Sequence, residues 1–149
     1  MTAFALNTIS SDIADRASSR NAISRRAILV GRAMTTIAVL FLTMDTAMKL
    51  LRVPQAVEGT VQLGYPVSVI VPLGVVSLVM LVLLLIPRTS LFGALLWTGY
   101  LGGAVATNVR VEAPLFSHVL FPVYVALLIW GGLWLRDARL RALVPLRGK

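Results

Sequence analysis

The side chains that could do chemistry are few, and most lie near the ends of long apolar segments. Asp45 and Lys49 are four residues apart with the acid first, the favoured order for an ion pair on one helix face. An unpaired carboxylate beside a long apolar segment would cost free energy. Mutual neutralisation therefore explains this pair about as well as a functional role does. His118, the single histidine, could shuttle a proton or hydrogen-bond a carbonyl, although a lone histidine more often serves packing.

Several kinds of reaction centre find no support in the sequence. The chain has no cysteine, which excludes thiolate metal sites, iron–sulfur clusters and a thiol relay of its own. One histidine with scattered carboxylates is poor material for a metal or haem site, so we predict no bound metal. The motifs of ordinary hydrolases, such as a nucleophile elbow or a phosphate-binding loop, do not occur in the sequence.

The segments that must position these residues are strongly hydrophobic. Of the 149 residues, 58% are hydrophobic and 13% are charged, against roughly 25% charged in a soluble domain. Residues 59–87, 89–109 and 113–135 carry no charge, and each block reaches the roughly 20 residues that cross about 30 Å of hydrocarbon as a helix. We therefore predict an all-α fold, an integral membrane four-helix bundle embedded in a lipid bilayer. The predicted spans are about 28–50, 67–86, 90–109 and 114–135.

The rest of the chain divides around these spans. Residues 1–26 are polar and are predicted to form a disordered cytoplasmic tail, and 27–146 to form the membrane domain. Between the first two spans, Pro54 suits a first helical position and Gly64 suits a stop, which predicts a short interfacial helix. The basic segment 136–146 is amphipathic and is expected to lie on an anionic leaflet.

The distribution of positive charge predicts orientation. With both termini in the cytoplasm, only Lys49, Arg52 and Arg110 lie outside, whereas eleven basic residues lie inside. Because the net charge of +8 sits in tails and loops rather than in a stripe with aromatic residues, we expect no nucleic-acid partner. The eleven are Arg16, Arg20, Arg25, Arg26, Arg32, Arg88, Arg136, Arg139, Arg141, Arg147 and Lys149.

This topology brings most of the polar side chains of the spans to the extracytoplasmic end of the bundle. We take this layer as the candidate binding site, and its members are Asp45, Lys49, Tyr65, Asn108, Arg110 and His118. In the third span, small residues including Gly99, Gly102 and Gly103 form two rows. We interpret these rows as surfaces for close helix packing, with a ligand groove as the alternative.

Four stretches of the sequence resemble the DoxX-like family of small bacterial membrane proteins. They are "MDTAMKLLRVP" (44–54), "QLGYP" (62–66), "LIPRTSLFGALLWTGYLGGAVATNVR" (85–110) and "FPVYVALLIWGGLWLRDARLRALVPLR" (121–147). The resemblance implies a four-helix bundle in the bacterial inner membrane. The wider DoxX group is associated with subunits of quinol-linked or thiosulfate-oxidising membrane complexes. Relatives often have Glu at the position of Ser77 and His at that of Asn108, so a proton-handling site that relied on those groups would be impaired here.

Two functions follow as expectations from this resemblance. The first is an accessory or binding subunit linked to membrane redox processes, with quinone as the candidate cofactor and a membrane redox complex as the candidate partner. The alternative is a quinone-reactive oxidoreductase subunit in which His118 and Asp45 handle protons. A small transporter is less favoured, because Ser77 is the most notable polar residue deep in the second span. A homo-oligomer is compatible with either function.

Overall fold

The computed structural model describes residues 25–143, and the predicted tail therefore lies outside the described residues except at its end. Arg25 and Arg26, which we assigned to the tail, instead begin the first long helix. Within 25–143 every regular element is helical, and four helices are long and apolar enough to cross a membrane. The prediction of an all-α, four-helix membrane fold is confirmed. These four segments are Arg25–Leu50, Val67–Leu85, Ser90–Arg110 and Leu115–Arg136.

Six α-helices build the described part of the chain. They are α1 (Arg25–Leu50), α2 (Pro54–Gln62), α3 (Ile70–Leu85), α4 (Ser90–Arg110), α5 (Phe121–Arg136) and α6 (Ala138–Leu143). A 3₁₀ turn, Val67–Val69, leads into α3, and a π-helical turn, Leu115–Val119, leads into α5. The short helix α2 lies between the first two spans, as predicted, and begins with Pro54 in its first turn.

The four long helices form a ring. Helix α1 packs against α3 and α5, and α4 packs against the same two neighbours, so that α1 and α4 face each other across the bundle. The interior holds fully buried apolar side chains, among them Leu42, Trp97 and Ile129. The outer surface stays apolar, with Leu40 65% and Leu127 62% exposed. Such a surface suits hydrocarbon rather than water.

Close helix contacts depend on glycines other than those in the predicted rows. A Cβ on Gly31 would lie 2.9 Å from the carbonyl oxygen of Gly132, and one on Gly93 would lie 2.7 Å from the Cα of Leu84. By contrast, a Cβ on Gly99, Gly102 or Gly103 would meet nothing within 4 Å. The interpretation of the third-span rows as packing surfaces is therefore wrong for these three glycines. None of the three touches a neighbouring helix, whereas backbone atoms within 3.0 Å of an added Cβ occur where α1 crosses α5 and where α3 meets α4.

Helices α1 and α4 end in the same way at one end of the bundle. In each, a non-glycine residue adopts a left-handed conformation, Arg52 with φ 52° and Glu112 with φ 54°. The next amide donates back to the helix, from Val53 to the Met48 oxygen and from Ala113 to the Asn108 oxygen, both at 3.0 Å. These bonds satisfy carbonyls that a helix end otherwise leaves unpaired. We call this end, which also carries α2, the capped end.

The fourth span begins with an irregular turn that the sequence pattern does not predict. The amides of Val119 and Leu120 donate to carbonyls five residues back, those of Pro114 at 3.3 Å and Leu115 at 2.8 Å. Pro122 has no amide hydrogen to donate to the carbonyl of His118, and its ring crowds that carbonyl, so a regular α-helical ladder cannot pass through this point. Regular α-helix starts at Phe121.

Candidate functional site

A cavity of about 500 Å³ lies inside the capped end of the bundle, and we call it the bundle cavity. All four long helices line it, together with the chain between α2 and α3. The lining is mostly apolar and contains five aromatic side chains, a composition typical of pockets that hold small organic molecules. The aromatic lining residues are Phe41, Tyr65, Trp97, Tyr100 and Phe121.

The Asp45–Lys49 ion pair lies in the wall of the bundle cavity. The two residues are one helical turn apart on α1, and the Lys49 ammonium donates to the Asp45 carboxylate, as their spacing predicts. The Lys49 side chain is 15% exposed and that of Asp45 is 32% exposed, and the ammonium also lies 5.9 Å from the centre of the Tyr100 ring. Among the lining residues only these two carry charge, so the cavity wall is formally neutral.

The chain between α2 and α3, which we call the cover, lines one side of the cavity and is tied to the end of α4. The Tyr65 hydroxyl lies 3.0 Å from the Thr107 hydroxyl, and Arg110 Nη2 donates to the Leu63 carbonyl oxygen at 2.6 Å. The chain turns at Gly64, whose φ of 81° favours glycine, and an added Cβ there would lie 3.1 Å from Arg110 Nη2. These contacts fix the position of the cover at the cavity wall.

The inner part of the cavity is lined by aromatic side chains, and one of them carries a buried polar group without a protein partner. Trp97 is fully buried, and its ring centre lies 5.4 Å from that of Tyr100 in an edge-to-face arrangement. Phe41 and Phe121 form a second edge-to-face pair, with ring centres 4.9 Å apart. The indole N–H of Trp97 reaches no hydrogen-bond acceptor among the described residues.

The six residues of the predicted polar layer separate into two groups. Asp45, Lys49 and Tyr65 line the bundle cavity together, whereas the remaining three do not. Asn108 donates to the Ala104 carbonyl of its own helix at 2.9 Å, and Arg110 binds the cover from outside. The described structure therefore assembles half of the layer around one space.

His118 lies apart from the cavity. Its side chain is exposed within the π-helical turn before α5, and its Nδ1 lies 2.8 Å from the hydroxyl of the neighbouring Ser117. Ser77, which we noted as a position where relatives often carry Glu, is fully buried in α3 but does not line the cavity either. Neither residue is placed to touch a molecule in the bundle cavity.

Several lining residues were missed by the sequence reasoning. Thr60, Trp97, Tyr100 and Thr107 all line the cavity, and none of them was assigned to the predicted binding layer. Trp97 and Tyr100 lie in a span with aromatic or aliphatic residues on every side, so periodicity does not reveal which face turns inward. The one available signal was their occurrence as polar-tipped aromatics within an uncharged span.

Comparison with known proteins places the chain in a family. The sequence model of the DoxX-like family matches residues 33–132, which is more than half of the chain. The chain belongs to the DoxX-like family. The matched range includes every residue that lines the bundle cavity, so in this DoxX-like protein the cavity lies within the family domain. No curated protein and no solved structure matches the chain.

Proposed function

We propose that this DoxX-like protein is an accessory, ligand-binding membrane subunit that holds a small lipophilic molecule in the bundle cavity. The observation that carries the proposal is the cavity itself, which combines about 500 Å³ of volume with a mostly apolar wall and one neutral ion pair. A few placed polar groups in an apolar pocket fix the orientation of a ligand without requiring that it be charged. The proposed location is the bacterial inner membrane, with the capped end outside and both termini in the cytoplasm.

A quinone head group is a suitable occupant by its chemistry. Its ring could pack against the aromatic lining, and a carbonyl oxygen could accept from the ammonium of Lys49, which lines the cavity. The volume is sufficient for a ring system and the first part of a tail, which fits a subunit of a membrane redox complex. A quinone supplies reversible electron and proton transfer, and the residues of this chain would bind and orient it.

The oxidoreductase alternative gains no support from the geometry. It requires His118 and Asp45 to serve one bound quinone, but His118 lies outside the cavity and bonds to its sequence neighbour. Among the lining residues there is no histidine and no carboxylate other than Asp45, which is already paired with Lys49, so the accessory role is the simpler account. A transporter would need a polar path across the bundle, and Ser77 is buried without lining the cavity.

Two glycines of α4 provide a direct test of ligand binding. Gly103 lines the cavity and a Cβ there would meet nothing within 4 Å, so Gly103→Leu should fill the ligand space without a clash in the empty protein. We expect this variant to bind 2-methyl-1,4-naphthoquinone at least about tenfold more weakly than the natural chain, since the leucine would compete for a packed ligand position. Binding is measured by equilibrium titration of the purified protein in lipid nanodiscs.

Gly102→Leu is the matched control for this test. Gly102 is the adjacent residue, has the same open surroundings and does not line the cavity. The Gly102→Leu variant should bind the quinone as tightly as the natural chain does. Gly102→Leu and Gly103→Leu should unfold at similar temperatures. Equal binding by Gly103→Leu, Gly102→Leu and the natural chain would show that the cavity is not the binding site.

A further inference from the structure

We propose that the bundle cavity opens sideways to the bilayer between α3 and α4. Its ligand is then a membrane-dissolved molecule with a polar head inside the cavity and a long apolar chain that leaves through this opening. We call the opening, which Leu73 of α3 and Gly103 of α4 border, the side portal. The inference rests on the proposed function, because it concerns the molecule held in the same cavity, and it narrows that molecule to a chain-bearing one taken up from the membrane.

Gly103 belongs to two surfaces at once. It lines the cavity, yet it is exposed, and a Cβ there would meet nothing within 4 Å. Gly99 and Ala106, one turn away on either side, are also exposed, and neither lines the cavity. This row therefore follows the outer surface of α4, whereas the buried face of the helix carries Trp97 and Leu101. The cavity thus reaches the outer surface of the bundle at Gly103.

The cavity also extends between α3 and α4, although these helices touch at their other end. A Cβ on Gly93 of α4 would lie 2.5 Å from the backbone nitrogen of Leu84 on α3. Leu73 and Ala104 lie eleven residues from these two contact residues, close to three full turns, so they are on the facing sides of the same helices. Both line the cavity. The space between the two helices near the capped end therefore belongs to the cavity.

The cover bounds the side portal toward the capped end. The Thr107 hydroxyl donates to the Gly103 carbonyl oxygen at 2.9 Å, so the Tyr65 hydroxyl must be the donor in its 3.0 Å bond to Thr107. Gly103 lies one turn below this bridge and seven residues from Arg110, or about 10 Å along the helix. Because the charge of Arg110 belongs at the membrane interface, the portal faces hydrocarbon rather than water.

The gap on the opposite side of the ring, between α1 and α5, is closed by aromatic side chains. Phe41 and Phe121 both line the cavity, and their rings pack edge to face with centres 4.9 Å apart. A chain could leave the cavity there only after the two rings had separated. The side portal requires no such movement.

The polar groups and the side portal lie on different sides of the cavity. The Asp45–Lys49 pair belongs to α1, which faces α4 across the bundle. A head group bound to Lys49 therefore directs an attached chain away from α1 and toward the side portal. Outside the portal the chain remains in hydrocarbon, so it does not have to fit into the cavity volume of about 500 Å³.

Photolabelling of the natural chain in lipid nanodiscs tests this inference. The probe is 2-methyl-1,4-naphthoquinone with a long saturated chain that carries a diazirine half-way along it, and mass spectrometry maps the labelled residues. The specific label is the part removed by excess 2-methyl-1,4-naphthoquinone, which has the same head and no chain. At about ten times its own Kd, this competitor should reduce the specific label roughly tenfold by mass action. The same chain without the quinone is the control, and its label should not respond to the competitor.

The specific label should lie around Val76 of α3 and Gly99 of α4, which are exposed and one turn from the borders of the side portal. Ile37 of α1 is the matched position on the other side of the ring, because it is exposed and lies one turn from Phe41. Ile37 should carry no specific label.

Specific label around Ile37 and the start of α5, or on α2 and the cover, would overturn the side portal and leave the proposed function intact. Gly103→Leu should lose the specific label, since the leucine would occupy the portal, and Gly102→Leu should keep it. Full specific label on Gly103→Leu would also overturn the inference. If the competitor removes no label from the natural chain, the head does not occupy the cavity, and the proposed function fails together with this inference.

Discussion

The Asp45–Lys49 pair is the one charged feature of the bundle cavity, and it shows how a local sequence rule can specify part of a site. The i, i+4 spacing on a single helix brings the two side chains together whatever the rest of the fold does. Because both are partly buried at 15% and 32% exposure, each would be left with an incompletely solvated charge if its partner were removed. The pair therefore keeps the cavity wall neutral while retaining donors and acceptors.

We expect this coupling to be visible in stability. Asp45→Asn and Lys49→Met should each lower the free energy of unfolding by on the order of 1 kcal/mol, since each leaves one charge without its partner. The double variant should lose less than the sum of the two, because no unpaired charge remains. Thermal unfolding of the four proteins in the same detergent measures this. Strictly additive losses would mean that the two side chains act independently.

Residue-level prediction failed where it depended on more than one helix. Asp45 and Lys49 could be paired from spacing alone, whereas the cavity position of Trp97 depends on how α4 is rotated in the ring. Asn108 and His118 were grouped with the site because their chain positions lie near the same bundle end. The Asn108 amide instead binds its own helix backbone, and His118 is exposed in an irregular turn. Depth in the membrane follows from sequence position, but side-chain direction does not.

At the scale of elements, the crossing of α1 and α5 depends on two glycines whose backbones approach closely. Gly31 and Gly132 face each other, and a Cβ on either would lie 2.9 Å from the other's carbonyl oxygen. Thr35 is also too close to Gly132 to admit a side chain there. Since helices in lipid associate through packing rather than the hydrophobic effect, this contact is important for holding the ring closed.

Substitution of these two glycines should destabilise the protein more than substitution of a glycine in open surroundings. Gly132→Ala should lower the free energy of unfolding by about 1–3 kcal/mol, because the added methyl group would press on backbone atoms that cannot move freely. Gly99→Ala is the control, since its surroundings are open and alanine favours helix by up to about 1 kcal/mol. It should be neutral or stabilising in the same thermal unfolding assay. A neutral Gly132→Ala would contradict the close crossing.

The sequence indicated that small residues would allow close packing but not which ones. Rows of Gly and Ala in α4 fit the pattern that glycine-rich interfaces share, yet Gly99, Gly102 and Gly103 border open space. The closest crossing instead involves Gly31 and Thr35, which are four residues apart on α1, and Gly132 on α5. A row describes one helix, whereas a crossing is a property of two, so only the assembled ring distinguishes them.

For the whole molecule, hydropathy was sufficient for the number and approximate limits of the spans. Long uncharged blocks have few alternatives to membrane helices, and the four observed segments follow from that constraint. The ring order and the cavity at the capped end were not predictable, because every face of these helices is apolar and none is marked as interior. The cover over the cavity depends likewise on contacts across more than forty residues, such as Tyr65 with Thr107 and Arg110 with Leu63.

Orientation in the membrane is the remaining property of the whole molecule, and it decides from which side the covered cavity is approached. The chain has no cysteine, so single introduced thiols can report on each end. Gln55 in α2 and Ala138 in α6 are both exposed. Gln55 lies at the capped end of the bundle and Ala138 at the opposite end. Neither substitution alters a charged residue, and so neither disturbs the distribution of Lys and Arg on which the orientation depends.

With eleven basic residues expected inside and three outside, the capped end should face away from the cytoplasm. In intact cells, a membrane-impermeant maleimide should therefore label Gln55→Cys, whereas Ala138→Cys should react only after the cells are lysed. The two variants control for each other, because both thiols must react after lysis for either result in intact cells to count. Labelling of Ala138→Cys but not Gln55→Cys in intact cells would reverse the orientation, place the cover on the cytoplasmic side and require a ligand or partner that reaches the bundle cavity from there.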